Sequence, residues 1–475
     1  MRLAQRSFSY PDQLRFAGVS GDRNPMHVDA LQARRTQAGA PVVHGMHLLL
    51  WALDSFAADR PDLPPLFSLG VQFYNFIHLD ESVQVELVQR GPAGAQIHIG
   101  VGNSQRSRVT LQFGDALPES PGWAAASLEP VPITLEPLHL EFEQMAGRSG
   151  RAPFAMTSQD ANALFPSAAR WIGAERVCAI AATSWLVGMV CPGLYSIYRD
   201  LSIKTYIESN SPIFAFRVTR TDARFQLVEQ EICGGGLTGV VKSFARMPPV
   251  RQASMESLAG VVGPADFAGS VALIVGGSRG LGELTTKLIA TGGAHVIVTW
   301  QTGREDAERV AQEICMAGGV CETLAYDSRK PANEQLMSLT EAPTHAYYFA
   351  TPSIFRPQSD LFSAERLQEF LAIYVDGFWQ LSRELRARQP NISLFYPSSV
   401  AVAERPRGMT EYSMAKAAGE VLCADMNASM APLRVVVKRL PRLPTDQTAS
   451  NTAAEAAKPI DTMLPIIREV QGRPS

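Results

Sequence analysis

Cysteine is scarce in this sequence, six in 475 residues, and no two of the six (Cys178, Cys191, Cys233, Cys315, Cys321, Cys423) form a Cys-x-x-Cys pair. That excludes a disulfide framework and a zinc knuckle, and reduced, mostly buried thiols are expected. Positive charge is not in excess either, with 43 Lys and Arg against 46 Asp and Glu and a formal net charge of -3. Such a surface offers nucleic acid or anionic lipid no global attraction, so neither is expected as a partner. Apolar runs of the roughly 20 residues that span a bilayer are missing. The start, Met1-Arg2-Leu3-Ala4-Gln5-Arg6, turns polar before a signal core could begin, and a soluble cytoplasmic protein is expected. Length is what the chain does have, enough for roughly two to four domains.

Two Pro-rich stretches, Ala116 to Pro137 and Met247 to Gly269, read as linkers. The first block, 1 to about 115, predicts a short opening strand, helices over Asp12 to Gly18 and Leu48 to Phe56, and strands over Phe67–Phe76, Ser82–Arg90, Ala95–Val101 and Arg108–Phe113. The second block, 138–248, repeats that order weakly. An apolar helix at Ala179–Val190 precedes strands at Leu194–Ile207, Ile213–Thr219, Phe225–Ile232 and Leu237–Ala245. Ser68 to Phe73 and Ser196 to Leu201 hold comparable places, which suggests an internal duplication whose second half lacks catalytic residues. Both blocks predict an α+β layer, a long apolar helix wrapped by antiparallel strands. From 268 to 475 strand, glycine turn and helix alternate, with a strand at Val271–Val275, a helix from Leu281, a strand at Ala294–Thr299 and a helix over Glu305–Ala317. That alternation predicts an α/β doubly wound parallel sheet.

Ser20-Gly21-Asp22-Arg23-Asn24-Pro25-Met26-His27 sets a carboxylate and an imidazole around an Asn-Pro corner. Pro25 fixes its own φ and drives Asn24 to an extended conformation, so Asp22 and His27 can converge as an acid/base pair. In Val43-His44-Gly45-Met46, which leads into the apolar helix, Gly45 offers a backbone N–H at a positive helix end beside a bound carbonyl oxygen. His44 and His47 have no further carboxylate or thiolate at ligand spacing, so no metal is expected. The string from Phe16 to Asp29, with Val43-His44-Gly45-Met46 and the Gly70-Val71-Gln72-Phe73 strand, resembles the MaoC-like R-specific enoyl-CoA hydratases of the hot dog fold. The resemblance implies that Asp22 and His27 activate the water and move the α-proton while the Gly45 amide polarises the thioester carbonyl. It also implies a dimer or a tandem pseudo-dimer, the second block walling the acyl tunnel.

Gly276-Gly277-Ser278-Arg279-Gly280-Leu281-Gly282 follows an apolar strand and opens a helix, so its backbone can take a pyrophosphate. Ser399, at the end of the strand begun at Ile392, stands 13 residues before Tyr412, and Lys416 follows Tyr412 by one helical turn. In this order these elements resemble the short-chain dehydrogenase/reductases over about 268 to 446. The resemblance implies that Lys416 lowers the pKa of Tyr412, that Ser399 holds the substrate carbonyl, and that Tyr412 gives the proton. It places Asp327 against the adenine, and Pro441 and Thr445 against the nicotinamide. The second strand ends in Thr299-Trp300-Gln301 with no acidic residue, and Arg279 and Arg304 are candidates for a 2′-phosphate, so NADP is preferred to NAD. Three departures stand out. Phe349-Ala350-Thr351-Pro352 keeps only Ala350 of the family's Asn-Asn-Ala-Gly, Tyr374 stands where most members have a catalytic Asn, and after Gly472 the family's last strand is not expected.

Hydration and hydride transfer meet on the 3-hydroxyacyl thioester. The leading expectation is a bifunctional NADPH-dependent 3-oxoacyl-thioester reductase and (R)-3-hydroxyacyl dehydratase, of fatty acid metabolism, acting on an acyl-CoA or acyl carrier protein thioester as a homo-oligomer. The alternatives are a hydratase and 3-hydroxyacyl dehydrogenase of β-oxidation type, and an acyl-carrier binding or scaffold protein with a degenerate reductase.

Overall fold

The computed structural model describes residues 1–58, 60–118, 127–207, 213–354, 361–445 and 458–472. Two compact units divide the chain, Met1–Pro248 and Pro249–Ser475.

The first unit contains strands β1 (Arg2–Arg6), β2 (Leu66–Phe73), β3 (Val83–Gly91), β4 (Gly94–Val101), β5 (Ser104–Phe113), β6 (Ser149–Pro153), β7 (Ser196–Thr205), β8 (Ile213–Asp222), β9 (Leu227–Gly234) and β10 (Leu237–Ala245). They form one ten-stranded antiparallel sheet in the order β1-β3-β4-β5-β2-β7-β10-β9-β8-β6. The order is a palindrome. Counting inward from either end, β1 matches β6, β3 matches β8, β4 matches β9, β5 matches β10, and β2 meets β7 at the seam. The two segments of comparable sequence position are therefore hydrogen-bonded to each other, Gly70 opposite Ser202 and Val71 opposite Leu201. Two equivalent strands can pair antiparallel in this way only across a local two-fold, which is the double hot dog architecture.

Each half packs a long helix against the sheet. Helix α1 (Tyr10–Ser20) starts in a capping box between Ser9 and Asp12 and ends at Gly21. Helix α2 (Gly45–Ala57) buries Met46, Leu49, Leu50, Leu53 and Phe56, and α3 (Ala174–Trp185) buries Val177, Ile180 and Trp185. Alternate strand residues meet them, among them Val83 and Val85 of β3, Ile97 and Ile99 of β4, and Val109 and Leu111 of β5. Strand β6 and the helices Ser158–Leu164 and Pro166–Ile172 were not evident from the sequence, because each is short and weakly periodic.

The second unit is a six-stranded parallel sheet of β11 (Val271–Val275), β12 (His295–Trp300), β13 (Val320–Ala325), β14 (His345–Tyr348), β15 (Ser393–Ser399) and β16 (Arg434–Leu440). Its order, β13-β12-β11-β14-β15-β16, reverses between β11 and β14, the switch point of a Rossmann-type sheet. Helices α4 (Gly280–Thr291), α5 (Arg304–Met316) and α6 (Thr410–Ser429) belong to this unit.

Both expected linkers are partly structural. Leu117 N–H donates to Thr205 O at 2.9 Å and Val131 N–H to Arg151 O at 2.8 Å, tying the first stretch to the sheet, while residues 119–126 lie outside the described residues. In the second stretch Met255, Leu258, Val262 and Phe267 are buried in the core of the Rossmann unit. A partly buried ion network fixes this segment. Lys287 Nζ lies 2.8 Å from both Glu283 and Glu313, Arg309 pairs with Glu283, and Glu313 accepts from Met255 N–H. Among the described residues no single helix is long and apolar enough to cross a membrane.

Candidate active sites

At the N-terminal site the backbone turns twice within a few residues. Gly21 ends α1 with φ +79°, a left-handed conformation that costs glycine little and would strain other residues. Asn24 then caps the short helix Pro25–Val28, its Oδ1 accepting from Met26 N–H at 3.1 Å, with Pro25 in the first helical position. The corner read from the sequence thus brings Asp22, His27 and His44 together, with one polar atom of each lying within 4.8 Å of the others. Asp22 is 2% exposed and His27 9%.

His27 Nδ1 lies 2.8 Å from the Val42 carbonyl, which can only accept, so Nδ1 carries the hydrogen and Nε2 the lone pair. His44 stacks on His27 with ring centroids 3.9 Å apart, and its nitrogens face Gln13 Oε1 at 2.8 Å and the Asp22 carbonyl at 3.1 Å. Burial pushes the Asp22 carboxyl above its ordinary value, against the nearby His27, the Ser184 hydroxyl and the Asn24 amide, which favour the anion. Burial pushes His27 down, against Asp22, which favours its cation. Gly45 opens α2, and a Cβ there would lie 3.0 Å from the Phe73 ring, so the ring packs directly against the glycine at the helix start. His47 packs instead against Phe8 and Phe16 as a core residue, which burial holds neutral.

Part of this site is built by the second half, which the sequence did not reveal. Ser184 Oγ donates to Asp22 Oδ2 at 2.6 Å. Asn24 Nδ2 donates to the carbonyls of Gly188 at 2.8 Å and Gly193 at 3.2 Å. Beyond Trp185, α3 continues into one π turn, Leu186–Val190, where a Cβ on Gly188 would stand 2.2 Å from Asp22 Oδ1. The second half has no Asp–His pair of its own at this place, yet it holds the carboxylate. No local pattern could announce a contact across 162 residues.

In the second unit the glycine loop joins β11 to α4. Gly276 and Gly280 have φ +76° and +58°, and a Cβ on Gly282 would lie 2.2 Å from Gly276 O. Gly277 and Ser278 are buried in the loop, Arg279 precedes α4, and Leu281 packs in its first turn. Thr299 Oγ1 accepts from Gly276 N–H at 3.1 Å, and Thr445 is the neighbour a Cβ on Gly280 would meet. This cradle of bare backbone at a helix N-terminus fits a dinucleotide pyrophosphate. Of the outer candidates, Arg304 makes an exposed ion pair with Glu308 at 2.7 Å, and Asp327 is clasped by Arg329 at 3.1 Å. Ala350 is half-buried after β14, and Pro441 is exposed just after β16.

Ser399 ends β15, and Tyr412 and Lys416 lie on α6. Burial raises the Tyr412 phenol, and a hydrogen bond with Ser399 opposes this. Lys416 Nζ donates to Pro397 O at 2.7 Å and sits 3.9 Å from the centroid of the Tyr374 ring, with the Tyr396 and Tyr412 rings at 5.1 and 5.9 Å. Burial pulls Lys416 down to about 7. Tyr374 comes from a second π turn, Ala372–Gly377, and its hydroxyl bonds Thr351 Oγ1 at 2.5 Å. Tyr374 thus lays an aromatic face against the lysine.

Residues 4–99 match the family described as MaoC like domain, and residues 270–345 match the short chain dehydrogenase family. No curated protein matches the chain in sequence. Among solved structures, a dehydrogenase/reductase from Sinorhizobium meliloti 1021 is 21% identical, covering 44% of this chain and 92% of its own, with a TM-score of 0.39. A 3-oxoacyl (acyl-carrier-protein) reductase from Agrobacterium tumefaciens C58 with NADP bound is 18% identical over 42% of this chain and 87% of its own, with a TM-score of 0.39. L-sorbose reductase from Gluconobacter frateurii, complexed with NADPH and L-sorbose, is 18% identical over 37% and 71%, with a TM-score of 0.34.

Proposed function

We propose, for a chain that carries a MaoC-like domain at its N-terminal end and a short-chain dehydrogenase domain in its C-terminal half, a bifunctional enzyme of acyl thioesters. Its C-terminal site reduces a 3-oxoacyl thioester with NADPH, and its N-terminal site dehydrates the (R)-3-hydroxyacyl product or hydrates the enoyl. The observation that carries this reading is the buried Asp22/His27 pair with His27 held as the Nε2 base. In hydration, Nε2 takes a proton from water as its oxygen bonds C3, and the Asp22 carboxyl, whose proton affinity burial has raised, gives a proton to C2. Dehydration is the same path reversed. The Gly45 N–H at the start of α2 stabilises the enolate oxygen formed between the two proton transfers.

At the C-terminal site the bound dinucleotide supplies the hydride. The cradle from Gly276 to Gly282 holds its pyrophosphate, and the absence of an acidic residue in Thr299-Trp300-Gln301, with Arg279 beside the loop, favours the 2′-phosphate of NADP. Ser399 orients the carbonyl oxygen. Tyr412, kept neutral by burial, donates its proton to that oxygen.

A second reading has one observation in its favour. With Tyr374 laid on Lys416, the C-terminal domain binds a dinucleotide without turning over and serves as a scaffold for the hydratase. The deciding experiment is a product time course on acetoacetyl-CoA with NADPH, following dinucleotide and enoyl absorbance together. Appearance of 3-hydroxybutyryl and then crotonyl thioester supports the bifunctional reading. NADPH binding with no oxidation of it by any 3-oxoacyl thioester leaves the scaffold.

A further inference from the structure

Just beyond β10, Arg246 is 8% exposed, and among the described residues no carboxylate pairs with it. Its Nη2 donates to Leu194 O at 3.0 Å, its guanidinium lies 5.1 Å from the Tyr195 ring centroid, and its Nε is shut off from solvent with no acceptor among the described residues. Burial pulls it down to about 10. A guanidinium taken out of water is normally matched by an anion, because one carbonyl and one ring face do not replace its hydration. Half of an ion pair is in place here.

The location is informative. The Leu194 carbonyl that takes Arg246 Nη2 also accepts from Asn24 Nδ2 at 3.3 Å. Asn24 caps the His27 helix, and its N–H donates to Asp22 Oδ1 at 3.1 Å. The guanidinium and the acid/base loop therefore converge on one oxygen, and the positive charge is felt at His27. Asp22 is not the missing partner, since its oxygens are taken by Ser184 and Asn24.

We infer that Arg246 completes its ion pair with the substrate, and that the N-terminal site takes enoyl thioesters whose acyl part carries a second carboxylate. This rests on the hydratase reading above. A planar carboxylate suits the guanidinium fork, and two nitrogens, Nε and Nη1, have no partner among the described residues. The same anionic chemistry could come from a phosphate of the thioester carrier, so the test separates the two sources.

Hydration is measured with glutaconyl and crotonyl thioesters of N-acetylcysteamine, which has no phosphate, and with crotonyl-CoA. The wild-type chain should show kcat/KM at least tenfold higher for glutaconyl than for crotonyl. In Arg246→Met that ratio should fall to about one, and Arg246→Lys should restore part of it. A wild-type preference for the uncharged acyl group overturns the proposal, whether or not the variants fold. An Arg246-dependent advantage confined to crotonyl-CoA over its N-acetylcysteamine ester also overturns it and assigns the charge to a carrier phosphate. If no enoyl thioester is hydrated, the hydratase reading fails. Calorimetric binding of glutaryl against butyryl N-acetylcysteamine thioester then decides the anion site, with tighter, Arg246-dependent glutaryl binding expected and equal binding overturning it.

Discussion

Replacing Gly188 by alanine adds one methyl group, and the structure specifies what it would strike. The new Cβ would lie 2.2 Å from Asp22 Oδ1, 2.7 Å from its Cγ and 2.8 Å from Oδ2. An ordinary contact is roughly 3.5 Å, so the carboxylate or the π turn must move by about 1 Å. Neither moves freely. Asp22 is anchored by Ser184 at 2.6 Å and Asn24 N–H at 3.1 Å, and its own carbonyl faces His44 Nε2 at 3.1 Å. The turn carries the Gly188 carbonyl that accepts from Asn24 Nδ2. Displacing an acid/base group by about 1 Å costs on the order of 100-fold in rate, and overpacking costs ~1–3 kcal/mol of stability. Gly188→Ala should thus reduce hydration of a crotonyl thioester about 100-fold and lower the melting temperature by a few degrees. Dinucleotide binding by the other unit serves as the internal control. Wild-type hydration together with an unshifted melting temperature would refute both the contact and the claim that the second half shapes the site.

Asp22→Asn and His27→Ala should each lower hydration by ~100 to 10,000-fold, read by loss of enoyl absorbance, while Tyr412→Phe stops 3-oxoacyl reduction and leaves hydration intact. Arg279→Ala should weaken NADPH by roughly tenfold or more and NADH little, measured by fluorescence titration, since a charge-assisted phosphate contact contributes ~1.5–3 kcal/mol. Lys416 binds its proton less tightly in the fold, at about 7, than in the unfolded chain, at roughly 10.4. Between those values the unfolded chain holds more protons, so stability from this group rises with pH. Denaturant titrations from pH 7 to 10 should show that rise, and Lys416→Met should flatten it; an unchanged slope would mean that the Tyr374 face keeps the ammonium charged.

Whatever depends on neighbours in sequence could be read from it. The Asn-Pro corner, the glycine loop and the Tyr–Lys turn each set their geometry within a few residues, and the structure places them as local stereochemistry requires. The β2/β7 equivalence was visible as two segments in comparable places of the two halves, though not that the segments pair with each other. What stayed hidden is long-range. Ser184 reaches Asp22, Tyr374 reaches Lys416, and Arg246 shares a carbonyl with Asn24 through folding of distant segments. The Met247 to Gly269 stretch misled for a related reason. Its prolines and glycines suggest slack chain, but four of its apolar residues, Met255, Leu258, Val262 and Phe267, are in the core.

The palindromic sheet changes what a substitution can do. In an assembly of two identical subunits every altered residue occurs twice, so one side chain must be tolerable both where chemistry occurs and where it is merely supported. Covalent duplication removes that constraint. Ser184 and Gly188 serve Asp22 and Asn24, while the start of the first half's helix keeps His44 and Gly45 for the site. Each half is thereby free to accumulate its own changes, one as the bearer of reactive groups and the other as the mould that fits them, and drift in the mould becomes a route to new substrate preference.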